Sequence, residues 1–246
     1  MKKRLKKILQ IPPIRIYENY RDKKLLKKRI AKREILFHSY FENNSLKRLH
    51  IGCGANLLEG WLNTDFNDKD EKIAFLDAGE EFPLPSESFD YIYSEHLFEH
   101  LDVDQQINML KESLRILKPN GIMRIAMPSL EFLFDLYSSP NTLENREYVN
   151  WYIKHSPYLS AVNRLVNDES FHYCYIINNF FKAWGHKIIH NFDSLKSLAY
   201  QAGFSEIIET VVGNSDFPDL QNIEKHGTVI PSKFNKQETM VLEIKK

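Results

Sequence analysis

From residue 46 onward, short apolar runs bounded by Gly, Asn, Asp and Pro alternate with stretches of helical period. This rhythm predicts strands and helices in turn, and so a parallel sheet with helices on its faces. Runs at 48–52, 62–65, 72–76, 89–94 and 122–127 read as strands, and two more follow at about 206–212 and 239–244. The clearest helix is 103–117, where Val103, Ile107, Leu110, Leu114 and Leu117 recur on one face. Asp102 can cap its start, and Pro119, Asn120 and Gly121 stop it before the next strand. A second helix, 193–202, opens at Asp193 and ends at Gly203.

The rhythm breaks twice. Residues 130–185 hold 13 of the 31 aromatic side chains, among them Trp151, Tyr152, Phe180 and Trp184. Such a segment predicts a helical insertion with its own aromatic core, placed to serve also as a lid over a substrate pocket. The other break is the N-terminus, residues 1–46, which predicts a basic helical arm. Leu26, Ile30, Arg33 and Phe37 fall at helical spacing, and Leu5, Ile8 and Leu9 share a face further up.

The net charge of zero conceals this arm. Residues 1–36 carry 14 Lys or Arg against 3 acids, and the remaining 210 residues carry 19 against 30. A solvated helix with one stripe packed on the domain or on a second copy accounts for it, as would contact with anionic lipid or an acidic polymer. Few aromatics interleave the charges, so nucleic acid is a poor expectation. No apolar run approaches a membrane span. The two cysteines, Cys53 and Cys174, do not make a disulfide framework. The expected setting is cytoplasmic, with the arm able to reach the inner face of a membrane.

The densest chemistry is at Gly52-Cys53-Gly54, reached from the apolar run Leu49–Ile51, with Asp65 thirteen residues after Gly52 at the end of the next run. Strand, glycine turn, strand, acid is how an α/β sheet holds a nucleoside-bearing cofactor. The glycines admit close backbone approach, and the acid accepts from ribose hydroxyls. A dinucleotide turn would place a third glycine where Leu57 stands. Only six residues separate Gly54 from Trp61, too few for a full helix to receive a pyrophosphate. A cofactor without phosphates fits better.

With His50-Ile51-Gly52-Cys53-Gly54-Ala55-Asn56, Gly60-Trp61-Leu62-Asn63-Thr64-Asp65, Leu76-Asp77-Ala78, the segment Phe82–Leu101, and Leu117-Lys118-Pro119-Asn120-Gly121 in this order, the chain resembles class I S-adenosylmethionine-dependent methyltransferases. It is most similar to compact bacterial methyltransferase-domain proteins often associated with surface-polysaccharide biosynthesis. The resemblance covers 47–128 strongly and 186–246 loosely. It implies an α/β, Rossmann-like fold: a seven-stranded, mostly parallel sheet with helices on both faces, a shortened first crossover and the aromatic insertion after the fifth strand. The methyltransferase domain would span 47–246. Gly52, Cys53 and Gly54 would line the methionine end of the cofactor, and Asp65 would take the ribose. Asp77, with Ala78 beside it, would take the adenine, and Ser94, Glu95 and His96 would face the reactive end. S-adenosylhomocysteine would be the product.

Methyl transfer to an alcohol requires alignment, exclusion of water and removal of a proton, for which histidine is suited. His96 and His186 are the candidates. If 95–100 is helical, His96 and His100 form one ridge and Glu95 and Glu99 the next. Histidines four apart can share a metal, but the sequence offers no convincing third ligand, so no metal is expected. The expected acceptor is small and polar: a sugar, a sugar nucleotide or another capsule precursor, with a phosphoramidate as a further possibility. An RNA methyltransferase, an NAD-dependent oxidoreductase and a non-catalytic cofactor-binding module stand as alternatives.

Overall fold

The computed structural model describes the backbone of residues 13–246 and the side chains from Lys23 onward. Seven strands form one sheet: β1 (Arg48–Ile51), β2 (Leu62–Asp65), β3 (Ala74–Phe75), β4 (Phe89–Glu95), β5 (Leu117–Pro128), β6 (Glu206–Thr210) and β7 (Thr239–Lys245). Their order is β3-β2-β1-β4-β5-β7-β6. The first five are parallel, and β7 runs antiparallel to both neighbours. The chain winds outward from β1 to β3 and returns to β4 on the other side of β1. The crevice at the C-terminal ends of β1 and β4 is therefore the topological switch point, where such sheets bind ligands.

β5 begins five residues earlier than the sequence pattern predicts. Leu117 pairs with Phe89, and the register shifts between Phe89 and Tyr91. The Pro119-Asn120-Gly121 stop is thus an irregularity within a strand, with Asn120 at a left-handed φ of 65°. No helix intervenes between β1 and β2, so the first crossover is short, as expected.

The period of two divides the sheet into unlike faces. Leu49, Ile51, Ile92, Met123, Ile125, Leu242 and Ile244 are buried in the main apolar cluster. Helices α1 (Pro13–Asn43), α2 (Val103–Ile116) and α7 (Phe192–Ala202) contribute Phe37, Tyr40, Met109, Leu110, Leu195 and Ala199 to it. The opposite face carries a row of paired polar positions, Asn63, His50, Tyr93, Arg124 and Glu243. Over it pack Leu58 and Trp61 from the first crossover and Leu220 and Ile223 from the segment 211–231. That segment has only short 3-10 turns, so loop rather than helix covers the middle of this face.

Arg124 is fully buried there and donates from Nε to Glu224 at 2.6 Å and from Nη1 to Glu243 at 2.5 Å. It also reaches the carbonyls of Asn214 and Val211. Two carboxylates and two carbonyls satisfy the guanidinium, which is what makes its burial tolerable.

After β5 come α3 (Leu130–Ser138), α4 (Leu143–His155), α5 (Ser160–Leu165) and α6 (His172–Lys182). They enclose a second cluster containing Phe132, Tyr148, Tyr152, Ile176 and Phe180, joined by Phe234 of α8 (Ser232–Glu238). Leu5, Ile8 and Leu9 lie outside the described residues. Of the other arm stripe, Phe37 is buried while Leu26 is 43% exposed. Arg29 pairs with Asp68 and lies 3.9 Å from the Phe75 ring centroid, and Lys32 reaches Asp68 and the Asp70 carbonyl. Among the described residues, no helix is long and apolar enough to cross a membrane.

Candidate active site

The glycine turn caps β1. The amides of Gly52 and Cys53 both donate to the Thr64 carbonyl, at 2.8 and 3.0 Å, and tie the turn to β2. Gly52 and Gly54 have φ of 72° and 52°, where a side chain is strained. Their surroundings differ. A Cβ on Gly52 would lie 2.6 Å from Leu97 Cδ2, whereas a Cβ on Gly54 would meet nothing within 4 Å. The Cys53 thiol between them is pushed up to about 12, first by burial and then by the Asp65 charge, so it stays protonated and inert.

Asp65 closes β2 and braces this turn. Its Oδ2 accepts from Gly54 N at 2.9 Å and its Oδ1 from Asn67 N at 2.6 Å. Each oxygen keeps capacity for one more donor. Asp77 lies two residues past β3 and accepts from Gly79 N at 3.0 Å, with Ala78 buried beside it. On β4, Ser94 is fully buried and its Oγ has no partner.

Glu95 departs from expectation. It follows Ser94, so the strand alternation turns it to the opposite face. There its carboxylate accepts from the amides of Lys225 and His226 at 2.9–3.0 Å. Glu95 thus fastens segment 211–231 to the sheet, on the face opposite Ser94. The expected helical ridges are also absent. His96 has a left-handed φ of 49°, and only Phe98–His100 form a 3-10 turn.

This local geometry instead folds His96 back onto Glu99, with Nδ1 3.2 Å from Oε1. Burial disfavours the imidazolium, but the hydrogen bond and charge of Glu99 outweigh it and raise the His96 pKa above the ordinary 6.5. Glu99 is completely buried. Burial opposes its ionisation, yet His96 and then His100 hold it below the usual carboxylate value. Two buried atoms here lack partners, His96 Nε2 and Glu99 Oε2.

Both residues line a cavity of about 200 Å³ between the strand ends and the insertion. The insertion supplies Tyr152, Phe180 and Trp184 as its aromatic wall. His186 enters from the insertion's return, where Trp184 and Gly185 both adopt positive φ. His186 Nδ1 is 2.7 Å from the Phe180 carbonyl, and Nε2 is 3.9 Å from Glu99 Oε1. Burial lowers the His186 pKa, opposed by Glu99, so the ring is neutral near pH 7. His100 Nε2 lies 4.0 Å from the same Glu99 oxygen. Among the described residues, Glu99, His100 and His186 bring one ligand atom each within 4.8 Å of one another. The fold thus assembles a three-donor set that sequence spacing does not display.

Two cavity residues escape sequence reasoning. The His226 ring lies tilted by 44° against that of His96, centroids 4.1 Å apart, and its Nε2 is 3.2 Å from Glu238 Oε1. Glu238 also accepts from the Tyr148 hydroxyl. His226 lies in an aperiodic segment and Glu238 at the end of α8, and no local pattern marks either. By contrast, His190 is structural: Nδ1 contacts Ser194 Oγ and Nε2 contacts Gln106 Oε1.

Residues 49–125 match the family model described as Methyltransferase domain. Among curated proteins, Spastin of Dictyostelium discoideum is 30% identical over 105 residues, covering 42% of this chain. The chain covers only 16% of that protein's length. Among solved structures, a SAM-dependent methyltransferase from Archaeoglobus fulgidus is 18% identical, covering 94% of this chain and 99% of that one, with a TM-score of 0.45. A possible histamine N-methyltransferase from Thermotoga maritima is 14% identical, covering 92% and 97%, with a TM-score of 0.42. Phosphoethanolamine N-methyltransferase 2 of Haemonchus contortus, in complex with S-adenosyl-L-methionine, is 14% identical, covering 82% and 48%, with a TM-score of 0.37. The strand order, not these likenesses, carries the fold assignment.

Proposed function

We propose that this chain transfers a methyl group from S-adenosylmethionine to an oxygen of a small polar acceptor. The acceptor class is a sugar, a sugar nucleotide or another surface-polysaccharide precursor. The observation that carries this reading is His96 Nε2: a buried imidazole nitrogen without a partner, on the wall of a cavity, two residues past the end-strand Ser94.

The cofactor site fits the residues present. Gly54 has open space where a side chain would stand, Asp65 keeps two acceptor positions, and Ser94 Oγ is an orphan. Gly52, Cys53 and Gly54 would hold the methionine end by backbone, Asp65 the ribose, and Asp77 with Ala78 the adenine. The bound cofactor supplies an already activated sulfonium methyl group.

The chain's own residues do the rest. Glu99 accepts from Nδ1–H of His96 and fixes the tautomer that leaves Nε2 free to take a hydroxyl proton. His226, held by Glu238, flanks the same position. Tyr152, Phe180 and Trp184 exclude water and offer apolar faces suited to a sugar ring. Helices α3–α6 would act as the lid. A cavity of about 200 Å³ suits one ring, not a stretch of polymer.

Titration calorimetry with S-adenosylhomocysteine tests the cofactor half, and no heat from folded protein would overturn it. Radiolabelled methyl transfer to a panel of nucleotide sugars, free sugars, a phosphoramidate and short RNA tests the acceptor half. Transfer to RNA alone would overturn the small-acceptor reading.

A further inference from the structure

We propose that Glu99, His100 and His186 form a divalent transition-metal site on the floor of the acceptor cavity, with zinc the best-matched ion. Its catalytic use rests on the methyltransferase reading above, but its existence does not.

The donor set is the first argument. Two imidazoles and one carboxylate with a remaining side open to a cavity is a composition that holds zinc and related ions at reactive sites. Glu99 Oε1 lies 3.9 Å from His186 Nε2 and 4.0 Å from His100 Nε2. Donors around a tetrahedral ion at about 2.1 Å stand roughly 3.3–3.5 Å apart, so closure requires only modest side-chain shifts.

The second argument is the tautomer of His186. A backbone carbonyl can only accept, so its contact with Nδ1 at 2.7 Å places the ring proton there. The neutral ring then presents a bare lone pair at Nε2 toward a buried carboxylate. Two acceptors facing each other without a hydrogen between them are unfavourable, and a cation between them resolves the conflict. Histidines that bind metals are commonly oriented by this kind of N–H to carbonyl bond.

The third argument is Glu99 itself. Its Oε1 faces His96, while Oε2 is buried with no partner at all. An unsatisfied carboxylate oxygen in a protein interior is costly, and an ion gripped by both oxygens of Glu99 would relieve it. The ligand-bearing segments are also fastened together: Lys187 N and Ile188 N both donate to the Glu99 carbonyl, at 2.8 and 3.2 Å. A metal held here would keep a coordination position for an acceptor oxygen beside His96.

The test uses the full chain, stripped with a chelator and dialysed. Zn²⁺ calorimetry and the visible spectrum of added Co²⁺ are read for wild type, His100→Ala, His186→Ala, Glu99→Gln and the outlying His155→Ala. The expected result is one Zn²⁺ per chain, with affinity at least thirtyfold weaker in the three ligand variants and within threefold in His155→Ala. Co²⁺ should give tetrahedral-type bands only in wild type and His155→Ala. His100 is partly exposed, so its variant should fold even if Glu99→Gln does not. No binding by wild type, or binding that survives His100→Ala and His186→Ala, overturns the proposal. S-adenosylhomocysteine titration of the stripped protein separates the two readings. Cofactor binding without metal binding sinks the metal site alone, and metal binding without cofactor binding sinks the methyltransferase alone.

Discussion

Replacing either glycine of the turn by alanine should lower stability, more at Gly52 than at Gly54, while Gly54→Ala should also weaken ligand binding. Both residues sit at positive φ, so alanine costs each roughly 1–2 kcal/mol of backbone strain. At Gly54 the cost ends there, because the added methyl meets nothing within 4 Å. At Gly52 the methyl falls 2.6 Å from Leu97 Cδ2 and 2.9 Å from its Cβ. Overpacking of this kind adds about 1–3 kcal/mol. For a chain of this size each kcal/mol shifts Tm by about 2–4 °C. Gly54→Ala should therefore melt a few degrees below wild type, and Gly52→Ala distinctly lower. If the cofactor's methionine end occupies the space beside Gly54, the Gly54→Ala methyl stands where the ligand must. S-adenosylhomocysteine affinity should then fall at least tenfold, about 1.4 kcal/mol. Calorimetry and differential scanning fluorimetry on the two variants provide both readouts. A Gly54→Ala protein that binds S-adenosylhomocysteine within threefold of wild type would refute the placement of the cofactor against this backbone.

Three further outcomes are expected. His96→Gln should lower kcat by roughly 10²–10⁴ while leaving S-adenosylhomocysteine affinity within threefold, and an unchanged kcat would remove His96 as proton acceptor. His50 is buried and its pKa is pushed down to about 4 from an ordinary 6.5, by burial against a weaker opposing bond from Asn63. The unfolded chain therefore takes the proton first. Stability from this group is complete above pH 6.5 and declines as pH falls toward 4, by about 3 kcal/mol in all. Urea denaturation at pH 7 and 4.5 should show a smaller acid loss in His50→Gln than in wild type, and equal losses would count against the assignment. Arg124→Met leaves Glu224 and Glu243 buried without their cation and should cost about 3–5 kcal/mol in urea denaturation; a loss below about 1 kcal/mol would contradict the account of the polar face.

What the sequence displays is what local geometry determines. The strands announce themselves as apolar runs. The glycine turn, Asp65 and Asp77 stand next to strand ends, where chain direction alone brings them to one edge of the sheet. Motif adjacency groups Glu95 with Ser94, but strand alternation turns neighbouring residues to opposite faces, and Glu95 meets the Lys225 and His226 amides instead. The ridge expected for His96 and His100 assumed a helix that the left-handed His96 prevents, and that same conformation produces the His96–Glu99 pair. His226 reaches the cavity through a segment with no hydrophobic period, and Glu238 from the last position of α8. His226 is held there by Glu95, which accepts from the Lys225 and His226 amides, a contact across 130 residues that no spacing encodes.

The docking of α1 changes how its charge should be understood. β3 is a two-residue strand at the edge of the sheet, and Arg29 and Lys32 lie along it, neutralising Asp68 and covering Phe75. Part of the helix's positive charge is therefore answered within the molecule, where it screens an open sheet edge from pairing with other chains. A protein trimmed to begin at residue 47 would lose that screen along with Phe37 and Tyr40. Its self-association would then report an uncovered edge, and a comparison of trimmed and full-length protein would confuse solubility with recognition.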